Sequence, residues 1–64
     1  MILKDLLDVV DDYTILHVID KDHHLLAIRD NLKHGFDVDP KFYDKSVITV
    51  CIDVFGYLDI TIAV

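Results

Sequence analysis

Residues 47–64 read Val47-Ile48-Thr49-Val50-Cys51-Ile52-Asp53-Val54-Phe55-Gly56-Tyr57-Leu58-Asp59-Ile60-Thr61-Ile62-Ala63-Val64. In the first half Ile48, Val50, Ile52 and Val54 alternate with Val47, Thr49, Cys51, Asp53 and Phe55. In the second half Leu58, Ile60, Ile62 and Val64 alternate with Tyr57, Asp59, Thr61 and Ala63. A two-residue period sends successive side chains to opposite faces, so both halves read as strands with one buried face each. Gly56 marks the reversal between them. Directly opposed residues of an antiparallel pair share a face, so the two apolar sets meet only when the paired residue numbers sum to an even value. A Phe55-Gly56 loop fails that test by pairing Val54 with Tyr57. A loop of residues 55–57 passes it but sets Asp53 opposite Asp59, where like charges repel. The loop Val54-Phe55-Gly56 passes as well and leaves glycine in the left-handed last position of a turn with a bulge. The predicted register therefore pairs Asp53 with Tyr57, Cys51 with Asp59 and Thr49 with Thr61.

Upstream, Leu3, Leu6, Leu7 and Val10 recur at the three-and-four spacing of one helical face, while Lys4, Asp5, Asp8, Asp11 and Asp12 fall elsewhere. That predicts a short amphipathic helix over residues 2–10. Tyr13-Thr14-Ile15-Leu16-His17-Val18-Ile19 is β-branched and aromatic, and the polar run Asp20-Lys21-Asp22-His23-His24 separates it from Leu25-Leu26-Ala27-Ile28-Arg29. This reads as an antiparallel hairpin. No Gly or Asn stands where such a turn would ordinarily close; His23-His24 stands there instead. Residues 30–45 are irregular. Asp30-Asn31-Leu32-Lys33-His34-Gly35 suggests one helical turn between an Asp cap and a glycine stop, and Asp39-Pro40-Lys41-Phe42-Tyr43 suggests another with proline in its first position. The expected architecture is a single α+β domain over residues 1–64, ordered α-β-β-short α-β-β, with the N-terminal helix packed on a four-stranded antiparallel sheet. The first strand is apolar on both faces, so either the middle segment with Phe36, Phe42 and Tyr43 or a second copy of the chain must cover the outer one; a homodimer is expected. The last strand is expected to leave an open edge.

Sixty-four residues leave room for one domain only, and 53% hydrophobic and 28% charged residues place it among patterned globular chains. The single cysteine excludes a disulfide within the chain. No apolar run approaches the roughly 18 residues of a membrane span. Asp5 and Asp8 break any apolar signal-peptide core, so a cytoplasmic protein is expected. Twelve acids against six bases give a net charge of −6, and every acid is Asp. Direct nucleic-acid binding is not expected, because phosphate contacts need clustered basic residues. Asp favours caps and turns over helix interiors, which suits a chain of short elements and many reversals.

Chemistry-bearing motifs are few. Adjacent His23 and His24 diverge, and no second ligand pair follows them at a zinc-like spacing. The Asp20-x-Asp22 start of a calcium loop has Leu25 at its sixth position and Asn31 at its twelfth, where Gly and Glu belong. Cys51 reads as a small thiol in mid-strand, and Ser46 lies in no nucleophile elbow. The two glycines are isolated, so no phosphate-cradling loop exists. No enzyme, metal or cofactor is expected. The acids are left: Asp5, Asp8, Asp11 and Asp12 near the helix, and Asp37 and Asp39 beside Phe42 and Tyr43. Along a helix, Asp5 to Asp8 and Asp8 to Asp12 rise about 4.5 and 6 Å, the order of spacing along a nucleic-acid backbone. Such a row either is a solvated face or competes for a basic groove that normally holds phosphates. Phe42 and Tyr43 either cap the core or anchor an interface.

The run Leu3-Lys4-Asp5-Leu6-Leu7-Asp8-Val9-Val10-Asp11-Asp12, the strand Ile15-Leu16-His17-Val18-Ile19-Asp20, and Tyr43-Asp44-Lys45-Ser46-Val47-Ile48 with the hairpin that follows resemble short acidic hypothetical proteins of phages and prophages of Gram-positive bacteria. The resemblance spans nearly the whole chain and rests on pattern and length. It implies a bacterial cytoplasmic setting and a counter-defence role, since some small acidic phage proteins inhibit host nucleic-acid enzymes, anti-CRISPR proteins among them. The expected function is a non-enzymatic inhibitor that occupies a basic surface of a host protein through Asp5, Asp8, Asp11 and Asp12, with Asp37, Asp39, Phe42 and Tyr43 in support. A self-assembling module is the alternative.

Overall fold

A computed structural model describes residues 1–30 and 35–64. Helix α1 (Leu3–Val9) is followed by β1 (Leu16–Ile19), β2 (Leu25–Arg29), a 3₁₀ turn (Pro40–Phe42), β3 (Val47–Ile52) and β4 (Leu58–Ile62). The element order is the expected one; the helical turn expected across residues 31–34 lies outside the described residues. Among the described residues no helix is long and apolar enough to cross a membrane.

The four strands form one sheet in the order β2-β1-β4-β3. β1 pairs antiparallel with β2 and β3 antiparallel with β4, but β1 and β4 run parallel, with Leu16 beside Leu58 and Val18 beside Ile60. The sheet is therefore mixed, which corrects the expectation of an all-antiparallel one. Its cause is the connection of residues 30–46, which leaves β2 at one edge and enters β3 at the other, so that the second hairpin joins the first through β4. Side-chain alternation has the same period in parallel and antiparallel strands, and carries no trace of this choice. β4 is consequently an inner strand, and the open edges belong to β2 and β3.

From Thr49 to Tyr57 the register of the second hairpin follows the parity argument, but a bulge between Val47 and Thr49 sets Val47 opposite Ile62 and breaks it at the far end. Thr49 pairs with Thr61 and Cys51 with Asp59, and the Asp53 amide donates to the Tyr57 carbonyl at 2.9 Å. Gly56 takes φ +82, the left-handed conformation in which a Cβ would be strained. The Asp53 carboxylate closes the loop by accepting from the Phe55 and Tyr57 amides at 2.8 and 3.0 Å. In the first hairpin His23 itself adopts φ +64, and Asp20 accepts from the amides of Asp22 and His24. The residue that breaks the usual turn chemistry thus takes the backbone strain of the turn.

The core is the apolar side of the central parallel pair. Leu16, Val18, Ile60 and Ile62 lie fully buried beneath Leu3 and Leu7 of α1, with Val38 from the connection beside them. Phe42, Tyr43, Leu58 and Val47 pack around that cluster. Through Val38, Phe42 and Tyr43 the described part of the connection packs on the helix side of the sheet. It also caps the helix: the Leu3 and Lys4 amides donate to the carbonyls of Lys45 and Tyr43 at 2.8 and 3.0 Å, in place of a side-chain cap, which Ile2 cannot supply. Asp39 caps the 3₁₀ turn through the Lys41 amide at 3.0 Å, with Pro40 in first position.

β3 departs from expectation. Its Ile48, Val50 and Ile52 are 55%, 44% and 71% exposed, although they belong to the apolar alternation. The buried residues that cover the apolar face, Leu3, Leu7 and Val38, pack with Leu16, Val18, Ile60 and Ile62 of the two central strands, and of β3 only Val47 joins that cluster.

Replacing His23 by glycine is expected to stabilise the protein by roughly 0.5–1 kcal/mol, raising the thermal midpoint by about 2–8 °C; calorimetry of the two proteins checks this. Hydrogen bonding from the His24 amide, reinforced by the Asp22 amide and the His24 ring, holds the Asp20 carboxyl below its ordinary value. That contribution is complete above the ordinary carboxylate range and disappears as pH falls through the lowered native value. An acid titration should show a shallower loss of stability for Asp20→Asn than for the natural chain.

Candidate functional site

The acidic residues divide by what their carboxylates touch. Asp11 accepts from the Tyr13 amide at 2.7 Å, Asp37 from the Val38 amide at 2.7 Å and Asp39 from the Lys41 amide, as Asp20 and Asp53 do in their own turns. These five aspartates build local reversals, the use for which Asp is suited. Asp8 pairs with Lys4 one helical turn back at 2.8 Å, and this hydrogen bond and charge hold the Lys4 ammonium above its ordinary value.

Asp5 and Asp8 lie exposed on α1, turned away from Leu3 and Leu7. Asp11 and Asp12 are also exposed, but they lie beyond the helix, which ends at Val9 with Val10 as its extended cap. The row of acids along one continuous helix is thus shorter than its spacing suggested: β-branched Val9 and Val10 and the Asp11 turn end the helix before Asp12 is reached. Asp37 and Asp39 are exposed as well. Phe42 and Tyr43 are half-buried against the core, with the Lys4 ammonium 5.7 Å from the Tyr43 ring centroid and Lys41 5.1 Å from that of Phe42. Their aromatic bodies serve packing, and Tyr13, 69% exposed beside Asp11 and Asp12, is the accessible aromatic of this region.

Arg29 was not singled out in the sequence, yet it joins the two acidic stretches. Its side chain is 12% exposed at the end of β2; Nε meets Asp37 at 3.4 Å and Nη1 stands 3.9 Å from Asp12. Nη1 is buried with no hydrogen-bond partner among the described residues, so the two carboxylates supply its nearest counter-charge. A guanidinium presents donors along more than one edge, and so bridges two carboxylates where an ammonium would hold one. Arg29 therefore draws Asp12 and Asp37 together, while Asp5 and Asp8 lie exposed on α1 and Asp11 in the turn that follows it. A lone Arg at the end of an apolar strand, Leu25-Leu26-Ala27-Ile28-Arg29, was the available signal; its partners depend on tertiary structure.

Comparisons with family models, with curated proteins and with solved structures return no match for this chain.

Arg29→Gln is expected to leave the acids exposed but without their shared cation, so that repulsion between Asp12 and Asp37 is felt at low ionic strength. The thermal midpoint of the variant should rise with added salt more steeply than that of the natural chain, measured between about 0.01 and 1 M salt.

Proposed function

We propose that the chain is a non-enzymatic binding protein whose acidic border, Asp5, Asp8, Asp11, Asp12 and Asp37, occupies a basic, nucleic-acid-binding surface of a larger bacterial protein, in the manner of a phage-encoded inhibitor of a host nucleic-acid enzyme or defence complex. The observation that carries this reading is the gathering of Asp12 and Asp37, twenty-five positions apart, around Arg29. Carboxylates at fixed separations replace phosphates in a basic groove, and their long-range field accelerates encounter. Tyr13 stands in this border as an aromatic anchor, a residue type that concentrates binding energy at protein interfaces.

A second reading has its own support. β3 carries no charged residue between Val47 and Ile52, lies at the sheet edge, and exposes Ile48, Val50 and Ile52. Exposed apolar edge strands are templates for pairing with another chain, and in a chain of net charge −6 this is where two copies meet with least repulsion. A homodimer formed there is compatible with the first reading, whereas a large assembly replaces it.

The test captures bacterial lysate proteins on the tagged chain and on the double variant Asp5→Lys, Asp8→Lys. The natural chain should retain a nucleic-acid-binding protein that added duplex DNA or RNA releases. The variant should retain none, with its thermal midpoint within about 4 °C of the original, since both positions are exposed. Equal retention by both proteins overturns the charge mechanism. Light scattering that finds a large, salt-insensitive oligomer favours the assembly reading instead.

A further inference from the structure

The sheet face away from α1 carries a second constellation, distinct from the acidic border. Ladder pairing sets Cys51 of β3 opposite Asp59 of β4, and Asp59 beside His17 of β1, so the three lie in one row across three strands and share a face. His17 Nδ1 stands 3.1 Å from Asp59 Oδ1. Asp53, from the β3–β4 loop, completes a group in which the ligand atoms of His17, Asp53 and Asp59 all lie within 4.8 Å of one another, and all three residues are half-buried. Tyr57 stands edge-on to the His17 ring at 5.6 Å between centroids, and Phe55 packs against Tyr57 at 6.0 Å, so an aromatic wall flanks the group on one side.

From this arrangement we propose a site for a divalent transition-metal ion of the zinc type, ligated by His17, Asp53 and Asp59, with water in the remaining position. Donors around a tetrahedral zinc ion stand about 3.4 Å apart. The His17–Asp59 separation of 3.1 Å is already near that value, and the three ligand atoms lie within 4.8 Å of one another. The elements that carry the donors are fixed by ladder hydrogen bonds, and the Asp53 side chain is oriented by the two amides of its loop, which is the outer support that metal ligands use. The charge pattern points the same way. Two carboxylates close together in a chain of net charge −6 attract a cation, and the His17 ring, 3.1 Å from Asp59, is the ion-pair partner they have among the described residues. An imidazole nitrogen beside two carboxylates favours zinc over calcium or magnesium, which take oxygen ligands. Asp20, Asp22 and His24 form another compact group, but Asp22 and His24 are exposed, whereas His17, Asp53 and Asp59 are all half-buried.

The experiment titrates the chelator-treated full chain with ZnCl₂ by calorimetry and with Co²⁺ by visible spectroscopy, following the histidine ring resonances by NMR. One ion per chain is expected, with the His17 resonances moving and those of His24 still. His17→Ala and Asp59→Asn should each weaken binding by at least about tenfold. Asp20→Asn should leave the isotherm unchanged. Absence of uptake by the natural chain, or uptake in which His24 rather than His17 responds, overturns the proposal. The NMR readout needs no variant, so a folding defect in His17→Ala leaves the test decisive, and no outcome depends on the acidic border.

Discussion

The structure depends on burying Leu16, Val18, Ile60 and Ile62, the inner residues of two parallel strands, beneath Leu3 and Leu7 of a helix only two turns long. In a chain of 64 residues this cluster and its half-buried neighbours provide nearly all the apolar burial available. Because β1 and β4 lie side by side at the centre, each of the two hairpins contributes one strand to the core and one to an edge. The first and fourth strands thereby hold each other, and between β2 and β3 Val38 enters the core while the carbonyls of Tyr43 and Lys45 cap α1. Sheet, cap and connection form one cooperative unit.

Local chemistry was legible in residue types; spatial adjacency was not. The register of the second hairpin from Thr49 to Tyr57 followed from two constraints, the parity that opposes like faces and the repulsion that keeps Asp53 from Asp59, and both concern neighbours in one ladder. The 3₁₀ turn followed from Asp39 and Pro40 alone. Three features escaped because they depend on elements distant in sequence. The parallel pairing of β1 and β4 leaves side-chain alternation unchanged. The exposure of Ile48, Val50 and Ile52 depends on which residues of other elements pack over the sheet, and Ile48 falls in a bulge between Val47 and Thr49. Arg29 gains its meaning only once Asp12 and Asp37 are folded towards it.

The exclusive use of Asp has two physical origins that act together. At Asp11, Asp20, Asp37, Asp39 and Asp53 the short carboxylate accepts from a nearby backbone amide, geometry that the extra methylene of Glu disfavours. At Asp5 and Asp8 no such bond constrains the choice, and the effect of the residue is surface charge. Reversals and charge were thus obtained from one residue type, which explains why composition alone could not separate the acids that fold the chain from those available to a partner. The separation comes from counting amides: a carboxylate already accepting from the backbone has less of its charge to offer, so the contact surface is weighted towards Asp5, Asp8 and Asp12.

The two surfaces singled out lie on opposite sides of the same thin sheet. The acidic border follows α1 and the connection on one side, while His17, Asp53 and Asp59 occupy the other. β1 connects them, since His17 faces outward between Leu16 and Val18, which point into the core beneath α1. An ion bound on the outer face would tie β1, β4 and the β3–β4 loop together across the parallel pair, where the sheet is held by main-chain bonds between strands that are not consecutive in sequence. In a domain with so small a core, a ligand that binds only the folded arrangement adds directly to its stability by mass action. It would do so without covering a single residue of the surface that faces a partner.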